Sequence, residues 1–264
     1  MQVVGEPVQQ YGNRSHQAES IPLGRYEAYG SGIEPEGQDK DLELCNSSIR
    51  RGFVRKVYLI LLLQMITSLV VITALTIDKQ VRLGVANSTW MFLLALFTVV
   101  AILVTLACNE NLRRRSPLNL LFLSAFTIAE SFLLAIAACR YAPMEIFIAV
   151  VITAAVCLGL TLFALQTRYD FTMLGGILLS SLIILMLFGI LTIFVGGGLF
   201  TYVYASISAL LFSVYLVYDT QLMMGGRHRY SISPEEYIFA AINLYMDVIN
   251  IFLDILQIMG GSDT

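Results

Sequence analysis

The sequence predicts an all-α membrane protein, a bundle of seven transmembrane helices with a central, polar-striped last helix. Three observations lead to this class. Of 264 residues, 57% are hydrophobic and only 13% are charged, with a mean hydropathy of +0.76. The apolar residues form blocks of the length that a helix needs to cross a hydrocarbon core, about 20 residues. The last of these blocks carries polar side chains at helical spacing along one face.

The chain divides into two parts by composition. Residues 1–48 mix Gly, Pro, Gln, Glu and Ser without a sustained apolar period, a pattern typical of disordered segments. We therefore predict a disordered cytoplasmic tail over residues 1–48 and a seven-helix transmembrane domain over residues 49–264. No basic stretch followed by a short apolar run opens the chain, so no cleavable signal peptide is expected.

The apolar blocks follow one another with short connections, which predicts antiparallel neighbours. Helices satisfy every backbone polar group inside lipid, so each block is predicted to be helical. The Gly196–Gly198 run between the fifth and sixth blocks is typical of a tight turn. The blocks are Val57–Ile77, Thr89–Cys108, Leu118–Cys139, Ile146–Leu165, Leu174–Val195, Leu199–Tyr218 and Tyr237–Met259.

The distribution of basic residues predicts the orientation, because cytoplasmic loops are enriched in Lys and Arg. Of the basic residues after the tail, a cytoplasmic N-terminus places ten inside and three outside. Seven full spans then put the C-terminus on the opposite side, whereas a re-entrant last segment would return it to the cytoplasm. The inner set is Arg50, Arg51, Arg55, Lys56, Arg113, Arg114, Arg115, Arg168, Arg227 and Arg229, and the outer set is Lys79, Arg82 and Arg140.

Among the acidic residues in or at the ends of apolar blocks, three stand out. Glu130 is in the middle of the third block, Asp219 is at the inner end of the sixth, and Asp247 is near the middle of the seventh. A carboxylate at the bilayer centre costs about 3 kcal/mol, so each needs a partner or a function. For Glu130, structural pairing and a place in an ion pathway are both open.

Four polar residues of the seventh block form one stripe. Asn243, Asp247, Asn250 and Asp254 are spaced at i, i+4, i+7 and i+11, which places them on one helix face. This face must turn to the bundle interior or to water, as in an ion or proton pathway. The alternative is that the groups only join helices through hydrogen bonds. Amides and hydroxyls would suffice for that purpose, so the carboxylates favour a pathway.

Asp219 and Asp247 are the most informative pair. Asp247 is about 15 Å above the start of its helix, so the two meet only if that helix begins below the membrane surface, which the polar stretch at 231–236 allows. Two carboxylates in contact cannot both ionise cheaply, so they share a proton. When deprotonated they offer hard oxygen ligands suited to Ca²⁺. We therefore expect protons and Ca²⁺ to compete at Asp219 and Asp247, with no resident cofactor.

Several motifs resemble the Lifeguard proteins of the Bax-inhibitor (transmembrane Bax-inhibitor-motif) family. The resemblance covers residues 48–260 and excludes the N-terminal tail. Its strongest parts are the entry to the first helix, an arginine-rich loop, and the sequences around both aspartates. These motifs are Arg50–Tyr58, Leu112–Asn119, Tyr218–Leu222, Ile232–Tyr237 and Leu244–Asn250.

The resemblance implies a seven-helix bundle with a central last helix, a pH-sensitive Ca²⁺ leak across an internal membrane, and suppression of cell death. Asp219 and Asp247 match the paired aspartates that act as the pH sensor in the family. Arg113 matches a basic residue that latches one of them in the closed state, and its place at the inner membrane edge is within reach of Asp219. Glu130 has no constant counterpart in the family.

Our leading hypothesis is a pH-sensitive calcium leak channel that lowers store calcium and suppresses apoptosis without an enzymatic step. The expected partners are the lipid bilayer, calcium ions and apoptosis-regulating membrane proteins, and not nucleic acid. The expected location is the endoplasmic reticulum or Golgi, with the plasma membrane as an alternative.

Other function classes fit the sequence less well. A membrane adaptor that binds death-receptor or Bcl-type partners without conducting ions is the main alternative, and it would tolerate replacement of either aspartate by asparagine. An intramembrane aspartyl protease should carry a Gly-x-Gly-Asp turn, which is absent before Asp247. A retinal protein is excluded because no lysine follows Lys79.

Overall fold

The computed structural model describes residues 36–109, 117–225 and 229–260; for residues 36–47 and for Ile193 it describes the backbone alone. The pattern of contacts divides the chain into two units, Met1–Glu43 and Leu44–Thr264. In the first unit only the start of one helix is described. The predicted disordered tail therefore lies largely outside the described residues and stays a prediction.

The described residues form eight α-helices, seven of which are long and apolar enough to cross a membrane. This confirms the predicted all-α membrane class. Short 3₁₀ turns precede the sixth and eighth helices, at Phe171–Leu174 and Pro234–Glu236. The helices are α1 (Glu36–Thr76), the short α2 (Lys79–Ala86), α3 (Thr89–Cys108), α4 (Leu118–Ala138), α5 (Pro143–Gln166), α6 (Gly175–Val195), α7 (Gly198–Met224) and α8 (Tyr237–Gly260).

Local sequence explains several helix ends. The Asp78 carboxylate accepts hydrogen bonds from two backbone amides in the first turn of α2, at 2.7 and 3.2 Å. Helix α5 begins with Pro143, a favoured first residue because its missing N–H is not needed there. Between α6 and α7, Gly196 and Gly197 have φ angles of +66° and +100°, which glycine adopts without steric cost. The predicted tight turn is therefore confirmed.

The last helix is the central element of the bundle. Within an 18-residue window of its span 67% of the residues are buried, against 44% or less in the corresponding window of each other span. It packs against α4, α5 and α7. The outer helices instead expose large aliphatic side chains, which is the expected surface of a protein whose solvent is hydrocarbon. The prediction of a central last helix is confirmed.

The prediction that the sixth apolar block ends at Tyr218 was wrong, because α7 continues to Met224. The polar residues Asp219, Thr220 and Gln221 resemble a solvated helix end in the sequence, yet all three are buried. Asp219 and Gln221 find hydrogen-bond partners in neighbouring elements, and so the helix does not have to end where the apolar residues do. The helix ends instead at Gly225, whose φ is +57°.

Candidate functional site

Asp219 of α7 and Asp247 of α8 lie side by side inside the bundle. Their carboxyl groups are hydrogen-bonded to each other, and the two residues are only 6% and 4% exposed. The continuation of α7 helps to bring them together, since it extends five residues beyond Asp219, about 7.5 Å of helix. The structure thus brings the two carboxyl groups into contact, as the sequence analysis expected.

The charge of this pair is not balanced by a basic residue in the described part of the chain. The buried Oδ2 atom of Asp247 has no hydrogen-bond partner among the described residues. Two buried, ionised carboxylates without compensation would be strongly unfavourable. The simplest arrangement is a single negative charge held by two carboxyl groups that share one proton.

Side chains from three helices enclose the pair. Tyr215, one turn before Asp219 on α7, interacts electrostatically with both aspartates. Cys157 of α5 lies close enough to Asp247 to interact with it. The Tyr58 hydroxyl of α1 approaches the hydroxyls of Thr161 and Thr220 beside it. The pair is therefore surrounded by neutral, polarisable groups.

The predicted polar stripe of α8 separates into two kinds of residue. Asp254 is 5% exposed and hydrogen-bonds to Ser208 of α7, so it turns into the bundle with Asp247. Asn250 is half-buried and donates to the Met246 carbonyl of its own helix at 2.7 Å. Asn243 is also half-buried. The carboxylates, two helical turns apart, thus lie deeper than the two amides.

A cavity of about 520 Å³ opens between α6, α7 and α8 near Asp254. Tyr204 of α7 lies at its edge and interacts electrostatically with Asp254. A Cβ atom on Gly189 would come within 3.0 Å of the Tyr204 ring, so this glycine allows the ring to pack on α6. Hydroxyl and amide groups contribute to the lining, which consists of Met186, Gly189, Ile190, Thr192, Thr201, Tyr204 and Gln257.

A buried polar network that the sequence reasoning missed joins α1, α4 and α8. The Ser68 hydroxyl lies 2.9 Å from the Ser131 hydroxyl and 2.8 Å from the Tyr245 hydroxyl. Gln64, one turn before Ser68, donates to the Thr127 hydroxyl at 3.0 Å. The sequence did contain a sign of this network, because α1 and α4 each carry polar residues at i and i+4 inside an apolar block.

Glu130 lies next to this network. It is 8% exposed and interacts electrostatically with the Tyr245 hydroxyl. It does not join the Asp219–Asp247 pair. The structure therefore separates the predicted site residues into two buried groups, one around Asp247 and one around Tyr245, both of which contact α8.

Two basic residues near the start of the first membrane span have structural contacts. Arg50 donates to the carbonyls of Met223 and Ile232 at 3.2 and 2.7 Å, and so it satisfies a carbonyl at the end of α7. The Lys56 ammonium lies 3.3 Å from the centre of the Tyr237 ring. Arg113, the predicted latch, lies outside the described residues, and its contact with Asp219 stays a prediction.

The described residues contain no group of three or more His, Cys, Asp or Glu side chains that could hold a metal ion. The Asp219–Asp247 pair on its own offers at most four carboxylate oxygens, whereas Ca²⁺ takes six to eight oxygen ligands. A calcium ion there would need water or backbone carbonyls as further ligands. Such a site suits an ion in transit better than a structural ion.

Comparison with known proteins identifies the family. Residues 50–264 match the family model described as inhibitor of apoptosis-promoting Bax1. The chain belongs to this Bax-inhibitor family. Mouse Protein lifeguard 3 is 35% identical over 219 residues, which cover 81% of this chain and 71% of the relative. Human Protein lifeguard 3 is 33% identical over 246 residues, which cover 89% and 79%.

A viral member of the Bax-inhibitor family is equally similar. The Golgi anti-apoptotic protein of Vaccinia virus (strain Lister) is 36% identical over 215 residues, which cover 81% of this chain and 87% of the relative. These matches confirm the predicted family and its Lifeguard resemblance. Both aspartates of the pair lie within the part of the chain that the Bax-inhibitor family model matches.

Proposed function

We propose that this chain is an anti-apoptotic membrane protein that works as a pH-sensitive calcium leak. Membership of the Bax-inhibitor family supports the anti-apoptotic membrane role. The observation that carries the finer proposal is the buried, hydrogen-bonded Asp219–Asp247 pair on the central helix. A protein that needed only a surface for partners would gain nothing from two buried carboxyl groups in contact at this position.

Protonation sets the state of the pair. With one shared proton, the hydrogen bond joins α7 to α8 and holds the two helices together. Loss of that proton leaves two negative charges in contact, which repel each other and favour separation of the helices. Both carboxylates are then available as ligands for a cation. Calcium binding and protonation are therefore mutually exclusive at this pair.

Asp254 extends the proposed route along α8. It is seven residues after Asp247, about 10.5 Å along the helix axis, and the cavity near Tyr204 lies close to it. An ion leaving the pair would thus next meet a single carboxylate, with the Ser208 hydroxyl beside it. Asn243 and Asn250 flank the route as neutral oxygen donors, and Glu130 stays a candidate on the opposite side of α8.

An internal membrane is the proposed location, with the N-terminus in the cytoplasm. The viral relative is named for the Golgi, which supports the Golgi or the endoplasmic reticulum for this chain. A leak there lowers the calcium content of the store and so weakens a calcium-borne death signal. No enzymatic step and no bound cofactor are needed.

The proposed function is tested in cells that express the wild type or Asp247→Asn at equal levels. Asparagine keeps the size and hydrogen-bonding capacity of the side chain but cannot ionise. We expect the wild type to lower store calcium and reduce death after an apoptotic stimulus, and the variant to do neither. A variant that leaves store calcium high yet still protects cells would contradict the leak and favour a membrane adaptor.

A further inference from the structure

A deep groove separates α1 from α5 on the lipid-facing side of the bundle. Its volume is about 550 Å³. Its walls are formed by α1 and α5, and its floor reaches the central helix α8. Representative lining residues are Leu62 and Met65 of α1, Ala154 and Leu158 of α5, and Val248 and Phe252 of α8.

The position of α1 explains why the groove exists. Hydrogen bonds from Gln64 and Ser68 hold α1 to α4 and α8. These contacts lie on one side of α1, so the side toward α5 is not closed by them. A recess of this depth differs from the shallow grooves between neighbouring ridges of a helical surface, because it gives access to the side chains of the central helix.

The medium that meets this groove is hydrocarbon. Every lining residue lies within a candidate membrane span, and the lining is almost entirely apolar. Water needs two to four polar partners at a buried position, and the few hydroxyl groups of the lining leave most of the groove without them. The chemistry of the groove therefore fits a flexible alkyl chain.

Exposed positive charge lies at one end of the groove. Arg55 is three residues before Tyr58 and seven before Leu62, so it shares the α1 face that lines the groove. Arg168 follows the end of α5 at Gln166, and both arginines are exposed. Because α1 and α5 run in opposite directions across the membrane, the start of α1 and the end of α5 are at the same membrane surface.

We propose that this groove binds an anionic phospholipid, with one acyl chain between α1 and α5 and the phosphate headgroup at Arg55 and Arg168. The apolar walls select the chain, and the two guanidinium groups select a negatively charged headgroup over a zwitterionic one. The bound lipid belongs to the leaflet at which α1 enters the membrane. This inference does not depend on calcium conduction.

A lipid in this groove would lie next to the paired aspartates. Cys157 lines the groove and also interacts with Asp247, while Tyr58 and Thr161 line it beside Thr220. The acyl chain would thus form part of the apolar wall of the carboxyl pair and exclude water from that side. Lipid composition would in this way affect the environment of the site.

The test is native mass spectrometry of the full chain in detergent, titrated with phosphatidylserine or phosphatidylcholine carrying identical acyl chains. We expect tighter binding of phosphatidylserine to the wild type. Removal of one basic residue near a membrane surface weakens such binding about fivefold, so Arg55→Gln should lose most of this preference. Arg140→Gln, an exposed arginine outside the proposed headgroup site, is the matched control and should keep it.

A second pair of variants tests whether the groove binds the acyl chain of the lipid. Ala154→Phe fills the groove and should reduce binding of both lipids, whereas Ala101→Phe, on the exposed face of α3, should reduce neither. If Ala154→Phe does not fold, Leu62→Trp fills the groove from the opposite wall. Equal binding of the two lipids by the wild type, or unchanged binding in a folded groove-filling variant, would overturn the proposal.

Discussion

At the residue scale, the two aspartates and Arg50 illustrate how polar groups are accommodated inside this bundle. Asp219 and Asp247 form a hydrogen bond with each other, whereas Arg50 extends from α1 to carbonyl groups at and after the end of α7. A Cβ atom on Gly225 would come within 2.8 Å of the Arg50 guanidinium. The glycine, six residues after Asp219, and the arginine therefore form one structural unit.

Replacement of Arg50 should destabilise the protein. Arg50→Gln removes two charge-assisted hydrogen bonds, and we expect a loss of about 1–3 kcal/mol in the free energy of unfolding. The measurement is thermal unfolding in detergent micelles. Arg51→Gln is the control, because Arg51 is exposed and its loss should change stability little. Equal thermal unfolding midpoints for the two variants would show that the Arg50 contacts do not contribute to stability.

Calcium binding should depend on pH at the aspartate pair. As the pH falls, the carboxyl groups take up protons and lose oxygen ligands, so calcium affinity should fall; as the pH rises, affinity should rise. Asp219→Asn and Asp247→Asn should each bind calcium weakly at every pH, because only one carboxylate remains. Calorimetric titration of purified protein measures this. Unchanged pH dependence in both variants would assign the effect to other groups.

Cys139 offers a separate test of the packing between α4 and the connection that follows it. Burial raises the pKa of its thiol, and the side chain is 5% exposed. The reactive thiolate is therefore scarce at neutral pH. In single-cysteine variants we expect Cys139 to react with maleimide many times more slowly than the exposed Cys108, and to speed up only at alkaline pH. Equal rates would contradict the packing of this region.

At the element scale, α8 is held in the centre by polar contacts on two sides. Asp247 faces α7, and Tyr245 faces the hydroxyl network of α1 and α4. They are two positions apart along the helix, so they point in different directions. Movement of α7 away from the aspartate pair would therefore leave α8 attached to α1 and α4. This geometry favours α7 as the helix that moves when the aspartate pair separates.

The hydroxyl network should stabilise the association of three helices. Ser68→Ala removes contacts to both Ser131 and Tyr245, and a hydrogen bond between helices in a membrane is worth about 0.6 kcal/mol on average. We expect a loss of about 1 kcal/mol in unfolding experiments. Thr67→Ala is a matched control, because Thr67 bonds only to the Leu63 carbonyl of its own helix. A loss in the control as large as in Ser68→Ala would refute the network's role.

At the whole-molecule scale, much of this fold followed from the sequence for a simple physical reason. A membrane span must be long, apolar and helical, so the number and order of spans are encoded in composition alone. The polar stripe through Asp247 and Asp254 likewise indicated the central helix, since that face cannot contact lipid. The contact between Asp219 and Asp247 was conditional on where the last helix begins, and the family resemblance then matched both residues to a pair.

Other features could not be predicted because they depend on tertiary contacts. The predicted end of α7 at Tyr218 was wrong, since Asp219, Thr220 and Gln221 are buried by other elements rather than solvated. Gln221, for example, accepts from the Phe171 amide at 2.8 Å and donates to the Tyr169 carbonyl at 3.0 Å. The groove between α1 and α5 has no signature in either helix alone, because it results from how far apart the two helices lie.

The central claim is that one buried aspartate pair controls calcium passage by protonation, and calcium flux into proteoliposomes tests it most directly. Wild type, Asp219→Asn and Asp247→Asn would be compared from mildly acidic to mildly alkaline pH, with empty liposomes as the blank. The account predicts a flux that changes with pH in the wild type and is absent or insensitive to pH in both variants. Folded wild-type protein that gives no flux above the blank, or variants that keep the pH dependence, would contradict it.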